Sequence, residues 1–198
     1  MERKLYTNTK AKASTRKLTT LAMLSAISVI LGFTPLGIIP VPPVNATIMH
    51  IPVIIAAILE GPVIGAIMGL IFGILSIIRA ITTGNILLPA ILNPMVSVLP
   101  RILIGVGAYY AYKSLPIESD KIRVGISAAI GTAINTFGFL GMLYLLYAET
   151  AAVAFKVSVD AVGKAIVTIG VTHGIPEIIV AVIITVGVIL ALKKLRKN

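Results

Sequence analysis

The chain has 198 residues, of which 58% are apolar and only 12% charged, against roughly 45–50% and about 25% in soluble domains. That balance excludes a water-covered surface and points to an all-α membrane protein of one domain or at most two. The absence of cysteine excludes disulfides, thiolate zinc sites, iron–sulfur clusters and cysteine nucleophiles, and two histidines leave little room for a metal, so neither metal nor cofactor is expected. The net charge of +10 sits mostly at the ends of apolar runs, where it orients helices in a bilayer rather than binding nucleic acid.

Residues 18–59, 61–78, 80–100 and 124–148 contain no Asp, Glu, Lys or Arg, and such runs reach or approach the ~20 residues that span a hydrocarbon core. The first run is too long for one helix. Pro35, Pro40, Pro42 and Pro43 around Gly37 divide it into a span at about 18–36, an extended loop at 37–45 and a second span at about 46–59. Glu60-Gly61-Pro62 then turns into a third span at about 62–81, and Thr82-Thr83-Gly84-Asn85 opens an irregular stretch. Pro89, Pro94 and Pro100 delay the fourth span until about 95, and it ends near Lys113. A fifth span covers about 122–147 and a sixth about 164–192, interrupted at Pro176. The division is a basic segment 1–17, a six-helix membrane domain 18–192 and a basic tail 193–198.

Arg3, Lys4, Lys10, Lys12, Arg16 and Lys17 precede the first span, Lys113, Lys121 and Arg123 lie between the fourth and fifth, and Lys193, Lys194, Arg196 and Lys197 follow the sixth. Arg79, Lys156 and Lys164 fall on the other side, so the positive-inside rule predicts cytoplasmic termini. Tyr109, Tyr110 and Tyr112 beside Lys113 fit an interfacial belt or plain packing. The first apolar run is too long for a secretory signal and lacks a small-residue cleavage site, so it is read as a retained span. The outer connections 37–45, 82–94 and 148–163 are long, uncharged or proline-rich. Nonhelical backbone at membrane depth is tolerated where it lines a wet cavity, which predicts a cavity opening outward.

Two small-residue seams stand out: Ala22 with Ala26 in the first span, and Gly65, Gly69 and Gly73, continued by Ser76, in the third. The glycine seam is read as internal packing. The alanine pair, within two turns of the cytoplasmic end, is suited either to packing or to a docking partner.

Ionisable groups inside spans cost on the order of 2.5–3.5 kcal/mol and are usually functional. The candidates are Asn45, Thr47 and His50 at the start of the second span, Arg79 ending the third, Asn93, Arg101, Asn135, and His173 with Glu177. With alternating helix directions, Thr47, His50, Arg79, Asn93 and Arg101 share the outer half. Arg79 is close enough to the surface to snorkel. Arg101, about two turns into the fourth span, needs either Glu177 or an anionic ligand. His173 and Glu177 share a helical face but lack a third ligand for a metal, and Asn135 suits an interhelical hydrogen bond. HExxH, GxSxG, Walker and GxGxxG motifs are absent, so hydrolysis, nucleotide binding and dinucleotide chemistry have no visible machinery in this chain, and any transport driven by ATP would need another subunit to supply it.

The basic N-terminus leading into Ala22–Ala26, the block HIPVIIAAILEGPVIGAIMGLIFG (50–73), LPRILIGVGAYYAYK (99–113), and GTAINTFGFLGMLYLL with HGIPEIIVAVI resemble, in order and spacing, the substrate-binding S components of energy-coupling factor (ECF) vitamin transporters. The resemblance implies a six-helix protein that binds a micronutrient beneath the first outer loop. It also implies that Ala22 and Ala26 face a membrane coupling subunit, and that two cytoplasmic ATPases drive a toppling that releases substrate inside. Family members that carry nickel or cobalt bear an N-terminal histidine where Glu2 stands here, which disfavours metal transport. The stretch TPLGIIPVPPVNATIMHIPV is most similar to pantothenate-type members, with riboflavin, folate or a pyridoxine-like compound as alternatives. The absence of tryptophan makes a stacked cage for a flavin harder to build, although Phe33, Tyr144, Tyr147 and Phe155 lie near the outer face. The Arg101 passage recurs widely in such proteins, which weakens it as a substrate-specific contact. The rival classes are an intramembrane enzyme using His173 and Glu177 as acid and base, and a small channel.

Overall fold

The computed structural model describes the backbone of residues 2–39 and 46–195, and the side chains of 15–37 and 47–195. The described residues form α1 (Glu2–Phe33), α2 (Ile51–Glu60), α3 (Pro62–Thr83), α4 (Leu88–Ile91), α5 (Pro94–Ser97), α6 (Leu99–Ser114), α7 (Asp120–Phe155) and α8 (Val162–Leu195). A two-residue antiparallel pairing joins β1 (Ile38–Ile39) to β2 (Ala46–Thr47), in the register Ile38 to Thr47 and Ile39 to Ala46. Asn45 and most of the proline loop lie outside the described residues.

Five segments are long and apolar enough to cross a bilayer: Thr15–Phe33, Pro62–Thr83, Pro94–Ser114, Asp120–Phe155 and Val159–Leu195. The span expected at 46–59 is instead the ten-residue α2, about 15 Å long against a core of about 30 Å. Nine of its residues are buried, because it packs against α1, α3, α6, α7 and α8 together. A helix apolar on all sides belongs in the middle of a bundle. Its centre holds the largest described core, with Val53, Ile54, Met68, Ile104, Val124 and Ile189.

The glycine seam of α3 packs on α6. A Cβ on Gly65 would lie 2.6 Å from the Ala57 Cβ, and one on Gly69 would run into the Arg101 carbonyl. Gly105 answers from α6, abutting the Gly65 backbone. Close backbone approach supplies the attraction that lipid cannot. At the end of α3, Gly84 takes the left-handed conformation at φ 62° and its N–H donates to the Ala80 carbonyl, ending the helix where Thr82-Thr83-Gly84-Asn85 predicted.

Two expected boundaries move. The fifth helix runs on to Phe155 rather than stopping at 147, with one nonhelical residue, Tyr147 (φ −142°, ψ 41°). The connection expected over 148–163 is thus largely helical and turns at Lys156, whose φ is 55°. Pro176 does not break α8. It lacks an N–H for the Thr172 carbonyl, but packed neighbours hold the helix on course. The basic segment is helical from Glu2.

On α8, Ile169, His173, Glu177, Ala181 and Ile189 are buried at intervals of four or eight residues, while Val167, Val171, Ile175, Ile179 and Ile183 form an exposed apolar stripe. An exposed surface of that kind is unsuited to water and suited to acyl chains.

At one end of the bundle, Asp120 accepts from Lys193 Nζ at 2.8 Å, Tyr112 Oη at 2.6 Å and Arg123 at 3.0 Å. This ties α6, α7 and α8. Nearby, Glu60 accepts from Arg16 at 3.2 Å and Thr20 at 3.3 Å, seating α1 on the end of α2.

Candidate functional site

The opposite end of the bundle holds a cavity of two adjoining lobes. The smaller, about 150 Å³, is walled by Thr136, Phe139, Leu140, Ile169, His173 and Glu177. The larger, about 380 Å³, is walled by Met49, Phe72, Ser76, Arg79, Thr83 and Asn85 among others. Thr47, Arg101 and Asn135 line both. The strand pairing carries Thr47 over the lobes, and α3, α6, α7 and α8 supply the walls.

Glu177 sits between α8, α7 and the β2 strand. Its Oε1 accepts the Thr47 backbone N–H at 2.8 Å and its Oε2 accepts the Thr136 hydroxyl at 2.9 Å. The carboxylate therefore ties the cavity roof to its wall while keeping lone pairs for another donor. His173, one turn earlier, places Nδ1 at 3.2 Å from the Ile169 carbonyl and 3.0 Å from the Thr172 hydroxyl. Because a carbonyl can only accept, the first contact puts a proton on Nδ1.

Arg101 is buried at 8% exposure, yet among the described residues no carboxylate lies within 4.0 Å of it. One terminal nitrogen donates to the Val96 carbonyl at 2.8 Å, and Nε has no partner among the described residues. Its guanidinium carbon lies 4.7 Å from the Phe139 ring centre and 5.7 Å from that of Phe72. Ring faces stabilise a cation but leave its charge uncompensated. Between the two possibilities for Arg101, an ion pair with Glu177 is thus not the one adopted. Arg79, half-buried in the larger lobe, makes a 3.6 Å contact to the Met49 sulfur as its one side-chain hydrogen bond among the described residues. Asn135 is also buried, and its Oδ1 has no hydrogen-bond partner among the described residues. The lobes thus set two arginines and one amide side chain against largely apolar walls.

Residues 16–189 match the family described as ECF transporter, substrate-specific component. The chain belongs to that family. It is also 34% identical over 170 residues to the pantothenic acid transporter PanT of Lactococcus lactis subsp. cremoris (strain MG1363), in a match covering 79% of this chain and 82% of that protein. This S component is therefore a membrane transport protein and not an enzyme. Among the described residues, no three His, Cys, Asp or Glu side chains gather as a metal site.

Of the residues singled out in the sequence, the structure brings Thr47, Arg79, Arg101, Asn135, His173 and Glu177 to the cavity. His50 does not reach it: the ring is fully buried behind the lobes and meets Thr132 Oγ1 at 3.0 Å, tying α2 to α7. Asn93 is a helix cap, its Oδ1 accepting from the Met95 N–H at 3.0 Å and its amide donating to Tyr147 Oη at 3.3 Å. Sequence reasoning missed Thr136, Phe139, Phe72 and Ser76. A signal for Phe139 was available, since it lies one turn after Asn135 and so on the same face of α7. Phe72 precedes Ser76 on α3 in the same way. Ala22 and Ala26 are exposed on α1, away from the cavity.

Proposed function

We propose that this S component captures pantothenate, or a closely related hydroxylated carboxylate vitamin, at the outer face of a prokaryotic cell membrane. Release to the cytoplasm then follows reorientation in a complex with a coupling membrane subunit and two ATPases. The observation that carries the reading is the buried Arg101 guanidinium without a carboxylate partner, lining a cavity it shares with a second arginine. An anionic guest compensates both. The relative named above as a pantothenic acid transporter supports the same choice. The lack of tryptophan, and the occupation of the Phe72 and Phe139 faces by Arg101, argue against a large flat ring.

Orientation follows from charge. The Asp120 cluster, Glu60 with Arg16, and most lysines lie at the end opposite the cavity, so the positive-inside rule puts that end and both termini in the cytoplasm. With α2 returning the chain from the outer side to the inner, the count of six crossings expected from the sequence is kept. The exposed Ala22 and Ala26 offer α1 to the coupling subunit by close backbone approach. Native mass spectrometry of the purified protein tests the reading: a co-purified pantothenate is the expected result. Failure to bind any of a panel of vitamins at micromolar concentration overturns it.

A further inference from the structure

The two lobes differ in charge. Arg79 lines only the larger lobe, whose described walls carry no acidic residue, and Glu177 lines only the smaller. Arg101 stands at their junction with one terminal nitrogen already held by the Val96 carbonyl. Asn135 stands there too. Two adjoining lobes, one with a carboxylate and the other with a second arginine, describe an elongated guest with unlike ends.

We propose that the site fixes the direction of its guest: the carboxylate lies in the lobe that Arg79 lines, beside Arg101, and the hydroxyl end lies in the Glu177 lobe, with the linker between them passing Asn135. This rests on the pantothenate reading above and adds the orientation. The reverse placement brings a second carboxylate against Glu177 in a poorly solvated pocket, where like charges repel strongly, and leaves Arg79, which lines only the larger lobe, facing neutral hydroxyls. In the proposed direction each hydroxyl finds a carboxylate oxygen with a lone pair to spare, since Thr47 and Thr136 use only one apiece. Leu140 and Ile169 wall the same lobe and suit a branched hydrocarbon between the hydroxyls.

The test uses the full chain in lipid nanodiscs and calorimetric titration with three probes: pantothenate, its analogue with an alcohol in place of the carboxylate, and its analogue lacking both hydroxyls. The unmodified protein is expected to prefer pantothenate to both. Arg79→Gln should lower the preference over the alcohol about tenfold and leave the preference over the dehydroxylated analogue intact. Glu177→Gln should do the opposite, and Glu177→Asp, which withdraws the same acceptor, stands in if the first variant does not fold. The preference that a variant keeps shows that its site is still formed. An exchanged pattern, or a carboxylate preference that Arg79→Gln leaves unchanged, overturns the orientation while pantothenate binding stands. If the unmodified protein binds none of the three probes, the vitamin reading itself falls, and the orientation with it.

Discussion

Gly69 of α3 lies directly against the backbone carbonyl of Arg101 in α6, with no room for a Cβ between them. The cation that lines both lobes is held where it is by a neighbour with no side chain. One turn on, Gly73 meets Val98 at 2.9 Å by the same measure, so the seam sets the α6 backbone on both sides of the site. Packing and binding are thus coupled through glycine.

Gly69→Val should therefore damage stability and binding together. The added methyls meet backbone, which cannot swing aside, and overpacking of this kind costs typically about 1–3 kcal/mol. Displacing Arg101 should also lower pantothenate affinity by at least tenfold. Gly187→Ala is the control, because nothing lies within 4 Å of its missing Cβ in α8. There the gain in helix propensity, about 0.5–1 kcal/mol, should leave the protein as stable or more so. Thermal melting and titration calorimetry on both variants check the pair.

Much of this arrangement is legible in the sequence. The spacing of Gly65, Gly69 and Gly73 announces a helix seam, and Gly84 announces a stop, because both depend on local backbone chemistry. Arg101 and Glu177 announce themselves by being charged inside apolar runs. What the sequence hides depends on tertiary context. α2 reads as a span because every residue before its terminal Glu60 is apolar, but burial in a bundle centre and burial in lipid select the same residues. The helix runs past Tyr147 because a single nonhelical residue there carries no proline or glycine to mark it. Asn93 and His50 read as site residues from depth alone, whereas side-chain direction assigns one to a cap and the other to Thr132.

Replacing Ala22 and Ala26 with leucine should abolish assembly with the coupling subunit and uptake, while leaving pantothenate affinity unchanged. Both alanines are exposed on α1 and neither lines the cavity, so bulk added there blocks close helix approach without reaching the ligand. Co-purification with the coupling module and direct titration separate the two effects. Loss of affinity with assembly retained would assign this face to the site instead.

Glu60 and Arg16 should respond unequally although they form one ion pair. The Glu60 side chain is completely buried, while that of Arg16 is 56% exposed. Glu60→Ala strips the Arg16 and Thr20 hydrogen-bond donors of a shared acceptor. Water can serve both donors in its place, whereas Arg16→Ala leaves a fully buried carboxylate with one cation fewer, which costs more. The second variant should therefore loosen α1 more than the first, seen as faster amide exchange over Thr15–Phe33. Because the pair lies at the end away from the cavity, pantothenate affinity should hold in both.

Asn135→Leu should make the empty protein more stable and the loaded one less so. Among the described residues Oδ1 is buried without a partner, and an apolar side chain of similar size removes that penalty of about 1–3 kcal/mol. The same change takes a polar amide out of the wall shared by both lobes, so affinity should fall at least tenfold. The two effects oppose each other in a ligand-dependent melt: the variant should start at a higher melting temperature than the unmodified protein and gain less from saturating pantothenate. A variant that melts lower when empty would mean that Asn135 stabilises the fold rather than waiting on a guest.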